Sequence, residues 1–165
     1  MDLKKYIREV QDFPVPGVLF RDISPLLAEP TAFHFAIEQL GEKFNLSGVE
    51  AFVGVESRGF IFASALAIKF NRGFIPLRKA GKLPPPVVGK SYKLEYGEAK
   101  LEMNRGQGGV VILDDVLATG GTLNAAIDLC CQAGFDVVDV GVLINLKFLN
   151  SMTFKDREVK SLITY

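Results

Sequence analysis

A chain of 165 residues, 48% of them hydrophobic, is long enough to bury one sizeable core and too short for two ordinary domains, so a single domain over residues 1–165 is expected. Its 19 Lys and Arg balance its 19 Asp and Glu, and no block of like charge marks a tail, so neither nucleic acid nor a membrane surface is an expected partner. No apolar stretch approaches the roughly 18 residues of a spanning helix, and MDLKKYIREVQDF lacks the apolar run of a secretory signal, which makes the cytoplasm the expected location.

Along the chain, Leu3, Tyr6, Ile7 and Val10 recur at helical spacing over residues 2–11. QDFPVPGVLFRDISP then breaks the pattern with Pro14, Pro16, Gly17 and Pro25 and reads as an irregular, proline-stiffened segment. A second helical pattern runs from about Phe33 to Phe44. His34, the one histidine, has no Cys or second His beside it to share a metal and reads as a partly exposed helix residue. EAFVGV (50–55) is an apolar run suited to a strand buried on both faces, Ser57 to Phe70 follows as a helix, and GFIPLR (73–78) is the next strand. This is the alternation of a parallel sheet.

Residues 78–103, RKAGKLPPPVVGKSYKLEYGEAKLEM, begin basic and Pro-rich and end in two alternating segments separated at Gly97, the pattern of a mobile loop returning through a hairpin. GVVILDD (109–115) is another buried strand, LATGG a turn, TLNAAIDLCCQAG a helix closed by Gly134, and VVDVGVLINL a further strand. Cys130 and Cys131 are neighbours on that helix and point in different directions, so they read as packing residues, with no disulfide or metal site implied. The fold class is α/β, a central, mostly parallel sheet flanked by helices.

The chemistry concentrates in VVILDDVLATGGTLNAA, where a strand ends in two acids and a small-residue turn enters a helix. Gly120 and Gly121 let the backbone approach a ligand closely, so that consecutive N–H groups can form an anion nest. Thr119 and Thr122 add hydroxyl donors, and the N-terminus of the helix adds partial positive charge. Neither GxxxxGK[ST] nor GxGxxG is present, which excludes a nucleotide P-loop and a Rossmann fingerprint. Two carboxylates beside an anion site repel it unless they serve hydroxyls or a metal, so Asp114 and Asp115 point to a ribose diol with Mg²⁺ nearby. At a strand end, the pair is not expected to be core.

DDVLATGGT, with VESRGFIFASALA, PLRKAGKLP, YKLEYG and FPVPGVLFRDISPLL, resembles the motif set of the adenine phosphoribosyltransferases, in that family's order and over roughly residues 10 to 148. The DDxxxTGGT element alone indicates a type I phosphoribosyltransferase fold; the PxPGxLFRDI and LEYG segments narrow the resemblance to adenine. What it implies is purine salvage: adenine and phosphoribosyl pyrophosphate give AMP and pyrophosphate, with substrate-bound Mg²⁺, in a homodimer. The implied fold has a small hood (about residues 10–27) over the sheet, and a flexible loop and hairpin (about 78–103).

By the same resemblance, Ala118, Thr119, Gly120, Gly121 and Thr122 hold the 5′-phosphate, and Asp114 and Asp115 face the ribose hydroxyls. Glu56, Ser57 and Arg58 form a pyrophosphate loop whose backbone usually includes a non-proline cis peptide, here Glu56–Ser57. Arg78, Lys79 and Lys82 complete its cations. Phe20 stacks on the base, the backbone of Leu19 reads its edge, and Arg21 braces the site. Glu95 is the catalytic acid/base, with Tyr96 beside it. The chain departs from the family in having Pro85 and Pro86 after KLP, where Gly is usual, which stiffens the loop, and in a shortened MNRGQGG connector. Three other readings stay open: a phosphoribosyltransferase for hypoxanthine or guanine, a non-catalytic regulator that binds phosphoribosyl pyrophosphate, and a simple nucleotide-binding module.

Overall fold

A computed structural model describes residues 1–94 and 97–165. In chain order the elements are β1 (Arg8–Gln11), β2 (Leu19–Asp22), α1 (Ser24–Ala28), α2 (Pro30–Gly41), β3 (Val49–Val55), α3 (Gly59–Lys69), β4 (Gly73–Lys79), β5 (Val88–Leu94), β6 (Gly97–Met103), β7 (Gly109–Leu117), α4 (Gly121–Ala133), β8 (Asp136–Asn145), β9 (Thr153–Phe154), β10 (Arg157–Glu158) and β11 (Lys160–Thr164). Seven strands form one sheet in the order β11-β8-β7-β3-β4-β6-β5. The five from β11 to β4 are parallel; β6 runs antiparallel to β4, and β5 antiparallel to β6.

The apolar runs make β3, β7 and β8 the centre of this sheet, because strands without a polar face must be covered on both sides. Alternate residues of β7 do this: Val111 and Leu113 join a core with α1, α2 and α3, whereas Val110 and Ile112 join a second core with α4 and the β5–β6 hairpin. Phe52 and Phe62 are fully buried in the first, Leu101 and Met103 in the second. Each such side chain contributes about 1.5–3 kcal/mol on leaving water. Gly134 closes α4 with φ 104°, its N–H reaching the carbonyls of Cys130 and Cys131.

Two expectations need correction. The helical spacing over residues 2–11 yields one 3₁₀ turn, Leu3–Tyr6, capped by Asp2, after which the chain extends as β1. Pairing decides this: Arg8–Gln11 lies antiparallel to Leu19–Asp22 in a separate two-stranded sheet, so the segment read as irregular holds β2 and then α1. The spacing nevertheless found real core residues, since Leu3 and Ile7 are both buried. The second helix begins at Pro30, three residues before Phe33, because Pro fits a first helical turn and the Glu29 side chain accepts from Thr31 N–H.

The basic, proline-rich loop makes contacts with the strand that follows it. Asn104 Nδ2 donates to the carbonyls of Pro84 (3.3 Å) and Pro86 (3.0 Å), and Gly81 N–H donates to the buried carboxylate of Glu102 (2.9 Å). The loop is thus tied along its length to the end of β6. His34 lies exposed on α2, and of the two cysteines Cys130 is buried and Cys131 exposed, both free.

Candidate active site

The carboxyl ends of β3, β4 and β7 converge on an open cavity of about 710 Å³, lined by Glu56, Ser57, Arg58, Lys79, Tyr92, Lys100, Asp114, Asp115 and Thr122 among others. This is the edge of an open parallel sheet where crossing connections leave a crevice. Beside it a smaller hollow of about 80 Å³ is enclosed by Leu117 to Leu123, the turn between β7 and α4. Gly120 there has φ 92°, a left-handed backbone that a larger residue adopts only with strain, and a Cβ on it would also lie 3.2 Å from Met152 Sδ. Ala118, Thr119, Gly120, Gly121 and Thr122 therefore surround an N-terminal helix hollow, as the sequence predicts.

Asp115 is not the solvated strand-end acid expected of it: it is 4% exposed. Its burial follows from Gly59, where a Cβ would sit 2.6 Å from Leu113 O and 3.2 Å from Asp114 Oδ1, so α3 starts directly against the end of β7. Arg58, one residue earlier, is thereby brought to Asp115, with Nε 2.8 Å from Oδ2. The Arg58 guanidinium is thus the cation that faces this buried carboxylate, and among the described residues Asp115 Oδ2 has no other partner. Burial raises the pKa of Asp114 well above the ordinary value, and the neighbouring charge of Asp115 raises it further. Asp115 is also raised by burial, with Arg58 opposing the shift.

The peptide between Glu56 and Ser57 is cis, as the resemblance implies. Glu56 lines the cavity beside Ser57 and Arg58. Its carboxylate accepts from Lys79 N–H (2.8 Å), Lys82 Nζ (3.2 Å) and Arg78 Nη2 (3.3 Å). Burial pushes this carboxyl upward, but the three donors outweigh it and hold the pKa at about 2. Glu56 is the counter-ion of Arg78 and Lys82 at the cavity wall.

Arg58 also lines a second cavity, of about 520 Å³, with Val10, Phe13, Phe20, Ile23, Leu27 and Ile61. Its guanidinium lies 5.0 Å from the centre of the Phe20 ring, and Phe13 meets the same ring edge-on. Leu19, next to Phe20 in β2, is exposed. Arg21 faces away from this cavity: it pairs with Glu9 and stacks at 4.0 Å on Tyr165, joining the hood to the chain's last strand. Glu95 and Tyr96 lie outside the described residues.

The sequence reading missed Tyr92 and Lys100 as cavity residues, although the alternation of β5 and β6 pointed one face of the hairpin inward. It also missed the segment after β8. Asn150 Nδ2 donates to Ala118 O at 2.8 Å across 32 residues of chain, a contact that local sequence pattern cannot reveal.

A parallel sheet ending in an acid pair, an N-terminal helix hollow and a cation cluster define a phosphoribosyltransferase, and residues 27–161 match the family model described as the phosphoribosyl transferase domain. The chain is 56% identical over 165 residues to the adenine phosphoribosyltransferase of Bdellovibrio bacteriovorus, covering all of both chains. It superimposes on the crystal structure of adenine phosphoribosyltransferase from Rhodothermus marinus with a TM-score of 0.88 at 42% identity, covering 99% of this chain and 96% of that one. The Giardia lamblia enzyme, solved with 9-deazaadenine, gives a TM-score of 0.88 at 34% identity over the same shares. The chain belongs to the adenine phosphoribosyltransferase family.

Proposed function

We propose that the protein transfers the phosphoribosyl group of phosphoribosyl pyrophosphate to adenine, giving AMP and pyrophosphate. The observation that carries the reading is the adjacency of three binding environments: a helix-start hollow for a phosphate, a larger cavity holding the acid pair Asp114 and Asp115, and an aromatic cavity that shares Arg58 with the larger one.

In this assignment Ala118–Thr122 hold the 5′-phosphate through N–H groups and hydroxyls, where the helix dipole favours an anion. Asp114 and Asp115 accept from the ribose hydroxyls, with Arg58 as the counter-ion of Asp115. Ser57, Arg58, Arg78, Lys79 and Lys82 meet the pyrophosphate, while Glu56 holds those cations in place. Phe20 stacks on the base and the backbone at Leu19 reads its edge. During transfer the bond from the anomeric carbon to pyrophosphate oxygen breaks and a bond to a ring nitrogen of adenine forms. That nitrogen must shed its proton, and Glu95 is the base assigned to receive it, on the strength of its place in LEYG, with Tyr96 beside it.

Mg²⁺ belongs to the same proposal. Among the described residues no three His, Cys, Asp or Glu side chains converge to hold a metal, whereas Asp114 and Asp115 offer hard oxygen donors to an ion that arrives on the substrate's phosphates. Bound there, the ion would offset charge on the leaving pyrophosphate. A homodimer working in the cytoplasm, built on one domain over residues 1–165, completes the reading.

The test is to mix the protein with Mg²⁺, phosphoribosyl pyrophosphate and individual bases, and to follow pyrophosphate release. Release with adenine well above that with hypoxanthine or guanine is expected. Preference for an oxopurine reassigns the base, and no release with any base removes the enzymatic reading.

A further inference from the structure

The anion hollow needs its N–H groups aimed inward, and what aims them lies outside the DDVLATGGT sequence. The carbonyls on the back of the turn are occupied by the segment after β8: Leu117 O accepts from Leu146 N–H at 2.9 Å, and Ala118 O from Asn150 Nδ2 at 2.8 Å. The amide of Asn150 is itself fixed. Its Oδ1 accepts from Met152 N–H at 3.2 Å, which sets which end of the amide is the donor, and its NH₂ also reaches Leu146 O at 2.9 Å and the buried Asn145 Oδ1 at 3.1 Å. Two hydrogens serve three acceptors, so at least one hydrogen is shared.

We infer that Asn150 is a positioning residue for the 5′-phosphate site, acting through the peptide that joins Ala118 to Thr119. That peptide is not among the cis bonds of the chain, so its C=O and N–H point in opposite directions in one plane. Fixing Ala118 O from behind fixes Thr119 N–H toward the hollow in front. Met152, two residues further on, closes the same side with its sulfur against Gly120. The segment Asn145–Met152 is thus the floor of the phosphate hollow, and it orients donors that never touch it. Preorganised donors bind an anion without a cost of reorientation, whereas a turn free to rotate incurs that cost at every binding event.

The inference rests on the phosphoribosyl reading of the hollow, and the experiment separates the two. Ribose 5-phosphate and pyrophosphate, each with Mg²⁺, are titrated calorimetrically into the wild type, Asn150→Ala and Asn150→Asp, with thermal unfolding followed in parallel. Wild-type protein that fails to bind ribose 5-phosphate removes the functional reading itself. With binding present, Asn150→Ala is expected to weaken ribose 5-phosphate about tenfold, the size of one lost side-chain hydrogen bond, while pyrophosphate, held by other residues, stays within about twofold. Asn150→Asp keeps the shape but sets an acceptor against Ala118 O, so its loss should be the larger. Weakening of both ligands alike would mark a general structural role, and no weakening of either would leave the turn self-sufficient; each result overturns the inference. Should Asn150→Ala not fold, Asn150→Ser, whose shorter hydroxyl cannot reach all three acceptors, is judged by the same pair of ligands.

Discussion

Asp114 and Asp115 are placed where ionisation is costly, and the cost has a measurable sign. Burial first, and the neighbouring Asp115 charge second, raise the Asp114 pKa above its ordinary 3.8. The folded state therefore holds that proton more tightly than the unfolded chain, and stability falls as pH rises above about 3.8. Asp114→Asn removes the penalty: its thermal midpoint at neutral pH is expected above that of the wild type, the gain disappearing below about pH 4, while phosphoribosyl pyrophosphate binds more weakly. A gain that persisted at pH 3 would mean a packing effect instead. Glu56 behaves oppositely. With its pKa lowered from 4.5 to about 2, its contribution is complete above pH 4.5 and is lost as pH falls toward 2. Glu56→Gln should thus be less stable than the wild type at neutral pH, with unfolding midpoints that converge in that acidic window. For Glu95, proton acceptance during attack by adenine predicts that Glu95→Gln loses about 10²–10⁴-fold in maximal rate, with affinity for phosphoribosyl pyrophosphate little changed. A variant retaining more than about a tenth of the rate makes Glu95 a positioning group.

At the scale of elements, legibility in the sequence followed the range of the interactions that form each piece. β7, its turn and α4 could be read directly, because acids, glycines and helix start act on neighbours within a few residues. β1 could not, because its extended form depends on β2 across a turn, and helical spacing of Leu3 and Ile7 is equally satisfied by a 3₁₀ turn followed by a strand. β11, a five-residue edge strand paired to β8, carries too short a pattern to announce itself. The loop between β4 and β5 reads as mobile from composition, and the structure adds its contacts with Glu102 and Asn104. Its behaviour under trypsin should follow those ties. Cleavage after Lys82, in the loop, is expected before cleavage after Lys90, which is paired within β5 and bound to Asp128 on α4. Asn104→Ala, by freeing Pro84 and Pro86, should speed the cut at Lys82, and phosphoribosyl pyrophosphate with a base analogue should slow it. If neither the variant nor the ligands changed the rate, the loop's ties and its closure over substrate would both be excluded as controls on its exposure.

In the whole molecule the site is where separate bodies of structure meet. β7 and α4 bring the Ala118–Thr122 turn, β3 and α3 bring Glu56 to Arg58, β4 brings Arg78 and Lys79, and the β1–β2 hood brings Phe20. Two cores, one on each face of the sheet, stabilise these parts separately, and at the carboxyl ends of the strands Glu56 pairs with Arg78 and Lys82, and Asp115 with Arg58. A ligand that spans the cavity binds this folded arrangement and cannot bind the unfolded chain, so it must raise global stability by mass action. At a ligand concentration about a hundredfold above its dissociation constant the gain is about 2.7 kcal/mol, which for a chain of this size corresponds to roughly 5–10 °C in thermal midpoint. Phosphoribosyl pyrophosphate with Mg²⁺ is expected to give such a shift, because it engages β3, β4 and β7 at once. Adenine alone, confined to the hood cavity, should give less, and raised salt should erode the first shift more than the second, since it screens phosphate contacts and leaves aromatic stacking intact. Equal shifts from the two ligands, or an adenine shift that salt removes, would place the base among the cations and away from Phe20.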